Sequence, residues 1–92
     1  MIDLTLPGAD LVAKGLGDLG RGVHSQEALL VSIGAPRLRG RAGIEVPPGI
    51  PDPEMRLYEL LAESDSDSAH SRYNALIRRL VSFERAAECV SP

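Results

Sequence analysis

The chain has 92 residues, a formal net charge of −3 at pH 7, two Tyr, one Phe and no Trp. This length is typical of one domain, and the negative balance argues against generic binding to DNA, RNA or acidic membranes. Leu, Ile, Val and Phe make up 25 of the 92 residues. That share exceeds the roughly 20% below which disorder becomes the default, so we expect a thin, mostly aliphatic core.

Cysteine usage and the N-terminal sequence indicate the compartment. Cys89 is the only cysteine, so no internal disulfide holds the fold, which fits a reducing environment. The stretch MIDLTLPGAD has neither the basic region nor the apolar run of a signal peptide, and no stretch is apolar over about 18 residues. We therefore expect a cytoplasmic protein without a membrane segment. Nine arginines against one lysine are typical of a GC-rich bacterial genome.

The first eight residues alternate apolar and polar side chains. Such a period of two is typical of extended chain, but a single strand has no partner here. We predict that residues 1–8 form an extended N-terminal arm that packs Ile2, Leu4 and Leu6 on the core.

Two helical patterns follow the arm. Residues 9–20 carry apolar side chains at spacings of four and three, which predicts an amphipathic helix. Ser25 is a good N-cap for a second helix, with Glu27 in its first turn. We expect Gly34 to break this helix and residues 36–41 to form a single short turn.

A connector and a third helix come next. Three of the nine residues 44–52 are proline, which predicts an extended Pro-rich connector. Asp52 is placed to cap a helix with Pro53 at its first position. The predicted buried face of that helix consists of Leu57, Tyr58 and Leu61.

The longest pattern is an apolar stripe near the C-terminus, with Ser66, Asp67 or Ser68 as its cap. Its positions are spaced 4, 3, 4, 3, 4, 3, which makes three heptads without an error. They are Ala69, Tyr73, Leu76, Leu80, Phe83, Ala87 and Val90. This helix is about 33 Å long and the others are under about 20 Å, so the stripe needs two shorter helices end to end or a second chain. The chain as a whole predicts an all-α bundle of about four helices.

The sequence contains no strong motif for nucleotide binding, metal binding or catalysis. Gly15, Gly17 and Gly20 spell GxGxxG, but no apolar strand runs into them and no helix begins in them. Asp67 and His70 lie three apart beside Asp65, a pattern more typical of helix caps than of metal ligands. We therefore expect no catalytic residue, no metal and no cofactor, and a protein that is not an enzyme by itself.

The remaining candidate function is protein interaction. We expect a non-enzymatic, intracellular interaction module, such as a regulatory subunit or an antitoxin-like binder, that docks through its C-terminal helix. Its partner is another protein or a second copy of the chain, and a homodimer through residues 69–90 would use the long stripe. The candidate partner-binding residues are Arg37, Arg39, Arg41, Arg72, Tyr73, Leu76, Arg79, Leu80 and Phe83.

A basic cluster leaves three interpretations open. Arg37, Arg39 and Arg41 lie in the segment 21–41, which carries +3, and residues 42–67 carry −6. In one interpretation the acidic segment neutralises the arginines. In another they bind a carboxylate of a protein partner. In the third they bind the phosphates of nucleic acid, which makes a nucleic-acid-binding regulator the alternative function, although no aromatic residue accompanies them for base stacking. A further alternative for the function is an enzyme subunit whose site a partner completes.

Overall fold

Four helices make up the fold. The structure, a computed structural model, describes residues 4–90, with side chains up to residue 89. The helices are α1 (Ala9–Gly20), α2 (Gln26–Gly40), α3 (Pro53–Ser64) and α4 (Ala69–Val90), and residues 4–90 contain no strand. The predicted all-α bundle with a long C-terminal helix is confirmed. None of these helices combines the length and apolarity needed to cross a bilayer.

The core is centred on α2, which contacts all three other helices. Its side chains are aliphatic apart from one phenylalanine, as the composition predicts. The largest fully buried side chains are Phe83, Leu30, Leu38, Leu57, Leu61, Val12 and Val31. All four helices therefore contribute to one core.

Helix α2 does not break at Gly34, so that prediction is wrong. The helix continues through Gly34 and Pro36 to Gly40, and the predicted short turn at 36–41 is its last part. A Cβ at position 34 would lie 2.9 Å from Glu84 Oε2, so glycine is there to let α4 approach. Burial of Leu38 beyond the proline stabilises helix that local propensity alone would not.

The helix caps agree only partly with the sequence. Ser25 caps α2 as predicted, because its Oγ accepts a hydrogen bond from the Ala28 backbone N–H at 3.1 Å. Pro53 is the first residue of α3, also as predicted, but the Asp52 side chain makes no capping hydrogen bond. Asp52 instead has a φ of 50°, in the left-handed region that Asp tolerates better than most residues.

The Pro-rich connector is held along α2. Val46 and Ile50 are buried in it. The Arg39 guanidinium donates hydrogen bonds to the carbonyls of Val46 and Pro47, and the Ile50 N–H donates to Ser32 Oγ at 3.1 Å. These bonds replace the backbone pairing that a proline-rich segment cannot make with itself.

Within residues 4–8, the N-terminal segment agrees with the prediction at Leu6 and differs from it at Leu4. Residues 4–8 form turns, and Leu4, expected on the core, is 70% exposed. Leu6 does pack against the core, half-buried, and Ile2 lies outside the described residues. The chain turns because Gly8 takes a φ of 77° at a close approach to α4, where a Cβ would lie 2.6 Å from the Arg79 carbonyl oxygen.

The apolar stripe of α4 is covered inside the chain. Leu80 and Phe83 are 3% and 1% exposed, and α4 contacts α1, α2 and α3. Helix α3 meets its first half, where the Tyr58 and Tyr73 rings lie 5.8 Å apart. The second half meets α1 and α2. Shorter helices placed along α4 therefore bury the stripe, whose last member, Val90, has its side chain outside the described part.

Candidate functional site

The three clustered arginines do not converge on one site. Arg37 donates through Nε and Nη2 to the two carboxylate oxygens of Glu88, at 3.0 and 3.1 Å. Arg39 is occupied by the connector carbonyls, and Arg41 is 3.8 Å from Glu88 with its side chain 71% exposed. Two of the three arginines thus hold the fold together.

The acid that pairs with Arg37 was not predicted. The charge blocks point to the acidic segment 42–67, but Glu88 belongs to α4, in a segment of net positive charge. Hydrogen bonds from Arg37 lower the pKa of the Glu88 carboxyl despite some desolvation. The one signal for this pair is the position of Glu88 next to the buried stripe residue Ala87, which places it near the helix interface.

Glu84 is a buried carboxyl at the same helix crossing. The residue is 4% exposed, and its Oε2 faces Gly34 of α2. It makes no hydrogen bond or ion pair with any residue that the structure describes. Burial raises its pKa, Arg37 opposes the rise and the neighbouring Glu88 adds to it. Arg37 therefore lies close to two carboxyls and hydrogen-bonds only the outer one.

We expect Glu84→Gln to stabilise the protein at pH 7 by up to about 1 kcal/mol, since it removes a charge that burial disfavours and that Arg37 offsets only in part. A raised pKa in the folded state means that stability is lost as pH rises through that value. The wild type should therefore gain stability as the pH falls from 7 towards the ordinary carboxyl range, because Glu84 binds a proton. It should lose stability at lower pH, where Asp18 and Glu88, whose pKa values are lowered, bind protons.

Urea denaturation of both proteins between pH 3 and 8 measures this effect. The difference between the two profiles isolates Glu84, because all other groups are shared. A variant that is less stable than the wild type at pH 7, or one that gains as much stability as the wild type when the pH falls from 7, would contradict the interpretation.

A second buried carboxyl joins α1 to α2. Asp18 accepts hydrogen bonds from Lys14 Nζ at 2.7 Å, from Ser25 Oγ at 2.7 Å and from Arg21. Those bonds, led by the one from Lys14, lower its pKa. Its oxygens are thus occupied, and they stabilise the turn between the helices. This arrangement explains Asp18 in the glycine motif: the motif packs two helices and offers no phosphate cradle.

Of the predicted partner-binding residues on α4, only some are accessible. Leu80 and Phe83 lie in the core of the chain itself, and Tyr73 is half-buried. Arg72 and Arg79 are exposed and Leu76 is half-buried. These last three line a shallow groove of about 220 Å³ with Gln26 and Ala75.

The outer surface of α4 is strongly basic. Its four arginines, Arg72, Arg78, Arg79 and Arg85, are all exposed. Its two acids do not offset them at the surface, because Glu84 is buried and Glu88 is bound to Arg37. Arg79 also bonds Asp10 of α1 at 3.0 Å, whereas Arg72 has no ion pair within residues 4–90. Arg72 and Arg79 lie seven residues apart in the sequence, as do Arg78 and Arg85, which predicts two rows of arginines on α4. Which of these arginines meets an acid follows only from the fold.

The larger clefts carry little chemistry. One cleft, of about 740 Å³, lies between Leu16, Arg39 and the start of the connector. Another, about 330 Å³, places His24 near Arg56, Glu59 and Glu63. Within the described part of the chain, no group of three or more His, Cys, Asp or Glu is arranged to hold a metal ion. Comparison with known proteins adds no relative, since no family model, curated protein or solved structure matches this chain.

Proposed function

We propose that the protein is a non-enzymatic interaction module, such as a regulatory subunit or an antitoxin-like binder, that binds an acidic segment of another protein on the outer side of α4. The observation that carries this proposal is the exposed arginine surface of α4, from which both acids of the helix are withdrawn. An arginine surface on a chain of net charge −3 concentrates attraction for anions on one helix.

The groove between Arg72 and Arg79 defines the kind of segment. The two arginines lie seven residues apart, about 10 Å along the helix, with Ala75 and Leu76 between them. This spacing fits an amphipathic partner helix with acids two turns apart and a small apolar face between them. One acid would pair with Arg72, and the other would compete with the exposed Asp10 for Arg79. Arginine presents several donors to a carboxylate in a fixed geometry, which favours such pairing.

Nucleic acid is the less favoured occupant. Arg37 and Arg39, the residues on which that alternative depended, are engaged within the fold. No aromatic residue lines the groove beside Arg72, so bases would find no stacking platform. The unpaired acids of α3, among them Glu54 and Glu59, would also repel a long polyanion.

The test uses two defined probes, a fluorescent helical peptide with Glu at positions seven apart around Leu and Ala, and a labelled DNA duplex. We expect the peptide to bind with micromolar Kd, and Arg72→Glu to weaken it at least tenfold. Arg85→Glu is the matched control, because it makes the same charge change on the opposite side of α4. Fluorescence anisotropy titrations at two salt concentrations measure the affinity of the wild type and of both variants for each probe.

Equal losses with Arg72→Glu and Arg85→Glu would show a diffuse charge effect and contradict the groove. Duplex binding tighter than peptide binding, with a steep salt dependence, would replace the proposal by the nucleic-acid alternative. Absence of peptide binding at any salt concentration would also count against it.

A further inference from the structure

The two arginines of the groove on α4 differ in what they contact inside the chain. Arg79 Nη2 lies 3.0 and 3.4 Å from the two carboxylate oxygens of Asp10 and donates to them. Arg72 makes no ion pair with any residue that the structure describes. An acid from outside can therefore reach Arg72 directly, whereas an acid that approaches Arg79 meets Asp10 already in place.

The packing of α1 on α4 holds Asp10 in this position. Gly8, the residue before α1, approaches α4 so closely that a Cβ there would lie 2.6 Å from the Arg79 carbonyl oxygen. Ala9, the first residue of α1, is fully buried. Asp10 follows in the first turn of the helix, where the positive end of the helix dipole favours an acid. The backbone of Asp10 is thus fixed beside Arg79.

The pair of Asp10 and Arg79 is nevertheless open to solvent. Their side chains are 77% and 50% exposed, and an exposed ion pair changes an equilibrium by no more than about fivefold. A partner that is already bound at Arg72 could displace Asp10 from Arg79, but its second acid would then gain little affinity, because it replaces one carboxylate by another.

We propose that Asp10 is an internal ligand of the groove that makes Arg72, and not Arg79, the arginine that selects the partner. This inference rests on the proposed function and adds the specificity of the same groove. Because Asp10 supplies the carboxylate at Arg79, the groove accepts a helix with one acid opposite Arg72 nearly as well as a helix with two acids seven residues apart. Removal of the Asp10 charge makes the second acid count.

Three helical peptides and one substitution test this specificity. One peptide carries Glu at two positions seven residues apart, and each of the other two carries Gln in place of one Glu. We expect the wild type to bind the two-acid peptide and the better one-acid peptide with affinities within about twofold of each other. Asp10→Asn should bind the two-acid peptide about two- to fivefold more tightly than the wild type does, and should change the affinity for the one-acid peptides by less than about twofold.

Two control variants separate the contact with Arg79 from a general effect of charge. Asp10→Asn combined with Arg79→Gln should show no preference for the two-acid peptide, because the gain requires Arg79. Glu45→Gln removes the same charge from the connector, where Glu45 is exposed and makes no ion pair within residues 4–90, and it should leave all three affinities unchanged. Circular dichroism verifies the fold of each variant, and Asp10→Ser replaces Asp10→Asn should the latter not fold.

The outcomes distinguish this inference from the function on which it rests. If the peptides bind and Asp10→Asn leaves the affinity for the two-acid peptide unchanged, the role of Asp10 is overturned and the proposed function stands. An equal gain for the one-acid peptides would overturn it as well, since such a gain reflects net charge alone. If no peptide binds the wild type or Asp10→Asn, the proposed function is wrong and this inference is wrong with it.

Discussion

Leu80→Ala is expected to lower the free energy of unfolding by about 2–5 kcal/mol, the range of buried leucine truncations. Leu80 is in the middle of α4 and 3% exposed. Its methyl groups lie within 3.1 Å of the position that a Cβ of Gly34 would occupy. The cavity would open where α2 crosses α4, at a contact that cannot easily collapse because Gly34 brings the backbones together. Such a loss is a large part of the roughly 5–10 kcal/mol that a domain of this size holds.

Chemical denaturation followed by circular dichroism measures the change. Leu76→Ala is the matched control, because it removes the same atoms from a half-buried position one turn earlier, and it should cost about 1 kcal/mol. A loss below about 1 kcal/mol for Leu80→Ala would mean that the stripe is not packed in the isolated protein. The exposed apolar stripe of α4 would then itself be the docking face.

Gly15→Ala is expected to destabilise the protein by about 1–3 kcal/mol, although alanine is the better helix former by about 1 kcal/mol. A Cβ at position 15 would lie 2.4 Å from the Glu27 carbonyl oxygen and 2.5 Å from Val31 Cγ2. The first of these atoms is backbone of α2, so α1 and α2 would have to separate along their contact.

Gly17→Ala is the control two residues further along α1. A Cβ there would meet only the Arg21 guanidinium, at 3.3 Å, and that flexible side chain can move. We expect Gly17→Ala to stabilise the protein by up to about 1 kcal/mol. Opposite signs for the two substitutions in thermal or urea melts would support the close α1–α2 contact, and equal signs would contradict it.

Local patterns predicted most of the helices because short-range physics decides them. The α1 bounds follow from apolar spacing between Gly8 and Gly20, and the start of α2 follows from the Ser25 cap, which needs only its own first turn. The Asp52-Pro53 pair places the start of α3 for the same reason, since proline favours a first helical position. These features depend on neighbours within four residues.

The prediction that α2 ends at Gly34 is wrong because tertiary packing overrides the low helix propensity of Gly34 and Pro36. Gly34 and Pro36 argue against helix when only α2 is considered. The bundle nevertheless gains more by burying Leu38 than the proline costs, and it needs a glycine where α4 crosses. The prediction that Tyr58 is buried is also wrong, because the residue lies at the edge of the buried face, where its ring contacts Tyr73 of α4 and remains 41% exposed.

The candidate sites also combine features that the local sequence decides with features that tertiary packing decides. The sequence by itself determined the helical class, the length of α4, its heptad stripe and its two arginine rows, because periodicity and charge are readable along one helix. Only the tertiary structure decided that Arg37 pairs with Glu88 and Arg39 with the connector. It also decided that the stripe is buried within the chain and that Glu84 and Glu88, the acids of α4, lie away from its exposed arginines. Those outcomes depend on which helices meet, and residues 51 positions apart in the chain leave no local pattern that reveals their contact.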